Sequence, residues 1–286
     1  MKIKFLSIMA LGVFFTSCGS DDNENENPTR QLRLNLSGLE NLGPNFKYEG
    51  WIKVNGTPIT TGTFTVNDAG TLSKTEFDVN TTQLANATEF VLSIEPTNDS
   101  DPAPSNTKYL AGSFSGANAS VSAGIIGDFN ASTGKYLLGT PTNGNLNPSA
   151  GVWFMDGNGP SVGLNLPTLG SGWKYEGWVV VGEVKLSTGT FSNPNGPDNS
   201  AIYSGSMPAP PFPGEDFLIN APVGFVFPGN LSGTKLVISV EPFPDNSPMP
   251  FKLKPLSHTV ASPAVTGITI DMMRSLTSFP TGTVTR

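Results

Sequence analysis

The chain has one histidine, His258, and one cysteine, Cys18, which sets tight limits on its chemistry. His258 stands between Ser257 and Thr259 in a strand-like run. No strand-to-helix nucleophile elbow accompanies it, so a Ser-His-Asp mechanism finds no support. Zinc needs several His or Cys ligands, which this composition does not supply. Asp198 with Asn195, or Asp245 with Asn246, could offer oxygens to calcium, but no EF-hand spacing is present and turns account for these residue types. Glu95 and Glu241 each precede a proline at a strand end, a position that suits structure better than acid-base work. Aromatic side chains remain. Trp51 and Trp178 each follow Glu-Gly, and a ring flanked by Lys and Glu can stack on a sugar or peptide. Phe212, Phe225 and Phe227 sit in a proline-rich stretch and are costly to leave in water. The expectation is a non-catalytic binding protein with no cofactor and no metal.

The elements that must position these residues are strands. Short alternating runs such as Gln31–Leu36, Thr63–Val66, Thr75–Val79 and Glu89–Ile94 are separated by Gly, Pro, Asn and Asp, and helix-period stripes are scarce. The runs occur twice in the same order. Lys-Tyr-Glu-Gly-Trp at 47–51 returns at 174–178, Thr-Gly-Thr-Phe at 61–64 returns at 188–191, and Val91–Pro96 matches Val237–Pro242. Leu34-Asn35-Leu36 matches Leu164-Asn165-Leu166. The period is too long for a solenoid. The expected fold class is all-β: two tandem antiparallel, immunoglobulin-like β-sandwich domains, over 31–146 and 147–286, with Gly134–Leu138 closing the first.

On an extended strand Tyr48, Gly50 and Ile52 share one face, and Lys47, Glu49 and Trp51 share the other. Either a β-bulge at Glu-Gly returns the Trp to the core, or the Trp faces solvent as a contact for ligand, or it covers the Gly between the domains. The copies differ in one loop: 26 residues separate Phe64 from Val91, whereas 45 separate Phe191 from Val237. The longer loop carries Phe212, Phe225 and Phe227, which either fold back on the sandwich edge or form a lip for a partner.

The N-terminus reads as a leader and anchor. Lys2 and Lys4 precede the apolar stretch Phe5–Phe15, which is shorter than the roughly twenty residues of a membrane span. Phe15-Thr-Ser-Cys18-Gly19 resembles a lipobox, so residues 1–17 are expected to be a signal peptide and Cys18 the acylated (palmitate-bearing) residue. Residues 18–30 form an acidic tether without a large apolar side chain, and Ser20 followed by acids resembles a signal for export to the cell surface. Loss of the leader turns 16 basic and 23 acidic residues into 14 and 23, a net charge of −9. Such a surface repels nucleic acid. The expected location is the outer membrane through the lipid, facing the surface or alternatively the periplasm, with an envelope protein or an extracellular glycan as partner.

Tyr48, Trp51, Gly62, Phe64, Glu95, Pro96, Pro102, Pro104 and Leu110 carry a pattern seen again in Tyr175, Trp178, Gly189, Phe191, Glu241, Pro242, Pro248 and Pro250. Over roughly 34–114 and 164–256 it resembles the extracytoplasmic domain of anti-sigma-K factors. That resemblance implies a β-sandwich outside the cytoplasmic membrane. The sigma-binding part and transmembrane helix of that family have no counterpart in this sequence, so domain type, and not sigma-factor sequestration, is what it implies.

Overall fold

The computed structural model describes residues 28–244 and 247–286; the leader, Cys18 and most of the tether lie outside the described residues. Seven strands come first: β1 (Thr29–Ser37), β2 (Phe46–Val54), β3 (Thr57–Phe64), β4 (Glu76–Asn80), β5 (Glu89–Pro96), β6 (Lys108–Ser115) and β7 (Asn118–Ser122), with a short helix α1 (Thr81–Ala85). Then come β8 (Thr133–Leu138), β9 (Gly151–Trp153), β10 (Met155–Asp156), β11 (Ser161–Val162), β12 (Leu164–Asn165), β13 (Trp173–Val181), β14 (Val184–Phe191), β15 (Gly214–Asp216), β16 (Lys235–Pro242), β17 (Leu256–Thr259), β18 (Ile270–Arg274) and β19 (Thr281–Thr285). Among the described residues no helix is long and apolar enough to cross a membrane.

The strands form two large antiparallel sheets of matching order. One runs β3-β2-β5-β6-β7-β19-β1-β4, the other β14-β13-β16-β17-β18-β8-β9-β15. Each sheet curls so that its outer strands approach; in the first, a Val66–Leu72 bridge and the contact of Gly62 with Phe77 draw β3 and β4 together. The all-β, two-unit expectation holds.

Position six is where chain order and space part company. In the first sheet it is β19, paired with β7 and β1; in the second it is β8, paired with β18 and β9. Each repeat therefore lends its last strand to the other unit. This differs from the expected division at 146/147, because Thr133–Leu138 belongs to the second sheet and Thr281–Thr285 to the first. The surroundings of the two strands differ after a glycine that both share. A Cβ on Gly282 would lie 2.3 Å from the Asn35 carbonyl oxygen, and Val284 is fully buried. Tyr136 takes the matching place in the second unit and reaches His258, with its hydroxyl 2.9 Å from Nδ1. Pairing also shifts the Leu-Asn-Leu match by two: Leu164 faces Gly134 as Leu36, not Leu34, faces Gly282.

The repeated Lys-Tyr-Glu-Gly-Trp block has a physical reason at nearly every position. Tyr48 donates to the Glu40 carbonyl at 2.9 Å and Tyr175 to the Pro167 carbonyl at 2.6 Å. Glu49 accepts from Thr60 as Glu176 does from Ser187. A Cβ on Gly50 would meet Thr61 Oγ1 at 2.5 Å, and one on Gly177 would meet Thr188 Oγ1 at 2.3 Å. The bulge is present, but its extra residue is Thr61 or Thr188 on the neighbouring strand. The Trp therefore stays on its original face.

The two units are fused. One apolar cluster contains core residues of both. Tyr109 of the first unit packs on Trp173 and Phe251 of the second, each at 5.5 Å between ring centroids. Trp173 Nε1 donates to the Lys108 carbonyl at 3.1 Å, and the Lys252 backbone N–H donates to Glu40 at 2.6 Å.

Candidate functional site

Trp51 and Trp178 are only 3% and 2% exposed, so neither offers a ring to a ligand. Each Nε1 donates at 2.8 Å to a serine, Ser93 or Ser239, whose hydroxyl donates in turn to Glu95 or Glu241. The carboxylates then accept loop N–H groups, Ser105 at 2.9 Å and Phe251 at 2.9 Å. This Trp–Ser–Glu relay ties two sheet strands to the loop beyond the Glu-Pro pair. Burial, opposed by these hydrogen bonds, pushes the Glu95 carboxyl above its ordinary range.

What distinguishes the second unit is inserted chain. Residues 65–75 join β3 to β4, whereas 192–213 join β14 to β15; residues 81–88, including α1, join β4 to β5, whereas 217–234 join β15 to β16. The counterpart of β1 is also interrupted, by the β10–β11 hairpin between β9 and β12. The spacing Gly159-Pro-Ser161-Val-Gly163 mimics a nucleophile elbow, but Ser161 lies in this hairpin with no helix after it.

Two carboxylates, Glu215 and Asp198, staple the longest insertion down, and a third, Asp216, anchors the strand that follows it. Asp216 accepts from Thr142 N at 2.8 Å, from the Thr142 hydroxyl, and from Trp153 Nε1 at 2.7 Å. Glu215 accepts from Ser204 and from Tyr203 N. Asp198 accepts from Gly214 N at 2.8 Å and Ser200 N at 3.1 Å, while Asn199 accepts from Thr190 N at 2.7 Å. Asp198 and Asn199 thus bridge the seam between β15 and β14. Desolvation raises all three carboxyls; Asp198, further opposed by Glu215 and Glu176, is pushed up to about 7. Among the described residues no three His, Cys, Asp or Glu side chains form a metal-holding group.

Phe212 lines a cleft of about 350 Å³ shared with Trp153, Asp198 and Ser204. Phe225 and Phe227 are half-buried against the core, and Phe227 packs edge-on to Tyr203 at 5.5 Å and Phe217 at 5.7 Å. They fold back, as one of the two readings has it. The exposed apolar residues of the lip, 207–228, are their neighbours: Met207, Ile219, Val223 and Val226. A larger cleft than that one, about 620 Å³, lies elsewhere in the second unit, between the β10–β11 hairpin and residues 192–195. Of its lining, Lys135 and Asp156 are not singled out by sequence, and Asn195 only beside Asp198 as a possible calcium ligand. The only signal is that hairpin and loop are both extra relative to the first unit.

Comparison with known proteins gives no match to a family model, to a curated protein or to a solved structure.

Proposed function

We propose that the chain is a non-catalytic, lipid-anchored lipoprotein of the outer envelope in which the first unit is a spacer and the second recognises a protein partner. The observation that carries this is an asymmetry. All twelve large apolar side chains exposed among the described residues, from Leu146 to Met273, belong to the second unit. The first unit has the same sheet order and exposes none. Exposed apolar surface marks interaction sites, and four of the twelve fall within the lip at 207–228. The tether from Cys18 enters at β1, in the first unit, which leaves the second free to face outward.

A photo-crosslinking residue at Val226 or Val223, compared with one at Thr57 in the first unit, tests the reading in intact cells. A discrete adduct from the lip positions alone is expected. Equal adducts from both units, or none from either, would overturn it. External protease on the same cells reports orientation: cleavage with periplasmic controls intact supports surface display.

A further inference from the structure

A cleft of about 620 Å³ lies where two additions specific to the second unit meet. The β10–β11 hairpin supplies Asp156 and Val162, and the 192–213 connection supplies Ser192 to Asn195. In the first unit β1 runs unbroken from Thr29 to Ser37, and the shorter connection 65–75 stands in place of 192–213. The cleft is therefore grafted on a fold that does not need it, the usual situation of a ligand site. Its volume, about 620 Å³, lies within the range of small-ligand sites.

Its chemistry narrows the ligand. The only two charged side chains lining it are Lys135 and Asp156, and they neutralise each other, with Nζ 2.7 Å from Oδ2. The pairing with Lys135, together with bonds from Asn158 N and Thr269, holds the Asp156 carboxyl down to about 2. No net charge is left to attract a phosphate, a uronate or an ammonium group. The other polar groups, Thr133, Asn165, Thr168, Ser192 and Asn195, are hydroxyls and amides that both donate and accept. Pro167, Pro194 and Val162 give apolar patches between them. Asn193 fixes the rim by accepting from Asn195 N at 3.0 Å, and Asn165 anchors to the Ala131 carbonyl at 3.2 Å, so the cleft is preformed.

We infer that this cleft binds a neutral oligosaccharide. Sugar hydroxyls would meet the amides and hydroxyls, C–H faces would meet the prolines, and a vicinal diol would span the Lys135–Asp156 pair, accepting from the ammonium and donating to the carboxylate. The site is separate from the lip, so it stands or falls independently of the protein-partner reading.

Isothermal titration of the detergent-solubilised full chain with cellohexaose, xylohexaose, mannohexaose and maltohexaose tests it, with oligogalacturonate and chitosan hexamer as charged controls. Binding of at least one neutral hexamer with a Kd of about a millimolar or tighter is expected. The double variant Asn195→Ala/Thr168→Val should weaken it by about tenfold with unchanged Tm, while Val226→Asp in the lip leaves it unaltered. Silence from all four neutral probes, equal binding of the charged ones, or full affinity in the double variant would overturn the inference.

Discussion

Asp198 is the residue whose titration should be visible in stability. Its folded-state value of about 7 stands above the 3.8 of an unperturbed aspartate. Between those two pH values the folded protein keeps a proton that the unfolded chain has released. Stability therefore falls as pH rises across that window and levels off above it. Glu95, Glu215 and Asp216 are shifted in the same direction and add to the slope. Urea midpoints measured from pH 4 to pH 8 should decline, and Asp198→Asn should flatten part of the decline and gain relative stability at pH 8. A profile indifferent to that substitution would show that Asp198 is ionised throughout. The repeated block makes a second residue-scale prediction. Gly50→Ala or Gly177→Ala places a methyl against Thr61 or Thr188 and should cost about 1–3 kcal/mol. Trp178→Phe, which removes only the bond to Ser239 and some area, should cost about 1–2 kcal/mol. Chemical denaturation reads both.

At the scale of elements, β19 is the strand on which the first unit depends. Its end is held by Arg286, whose guanidinium donates to the carbonyls of Leu84 and Ala85 at the end of α1, and to Ala87 and Gly116. The same group lies over the Phe114 ring at 4.6 Å. Arg286→Ala should therefore loosen α1 and β19 together, at a cost of about 1–3 kcal/mol. Hydrogen exchange would show faster labelling in β19, β7 and α1, with β8 unaffected. Faster exchange spread evenly over both sheets would mean that the clamp acts globally. Gly282→Val is the harsher change, because the Asn35 carbonyl leaves no room for a side chain.

For the whole molecule, reciprocal lending of β8 and β19 makes independent unfolding of either unit costly. Losing β19 opens the first sheet between β7 and β1, and losing β8 opens the second between β18 and β9. The Tyr109–Trp173–Phe251 cluster adds a shared core. The expected result is one cooperative transition, with urea-dependent exchange of peptides from both sheets at a common midpoint. Two separated midpoints would show that the strands can be released one at a time.

Alternation along short runs reports which residues share a strand face, and duplication reports that the runs form two similar units; both signals are local or internal to the chain, so they were legible. The Lys-Tyr-Glu-Gly-Trp block correctly marked a strand common to both units; the longer second loop marked two of the additions, at 192–213 and 217–234, but not the β10–β11 hairpin. The sequence left the face of Trp51 and Trp178 open, because a bulge at Glu-Gly would have turned it; the extra residue falls on the neighbouring strand instead, and the burial of both rings depends on Ser93, Ser239 and other groups tens of residues away. The exchange of β8 and β19 was hidden for a related reason. Both carry Thr-Gly followed by alternating residues, at 133–134 and 281–282, and either could in principle fill either slot. Only three-dimensional fit, Val284 in one slot and Tyr136 beside His258 in the other, decides which strand goes where. The candidate cleft belongs to the same class of fact: Lys135, Asp156 and Asn195 are far apart in sequence, and the sheet that brings them together is completed by a strand from the other repeat.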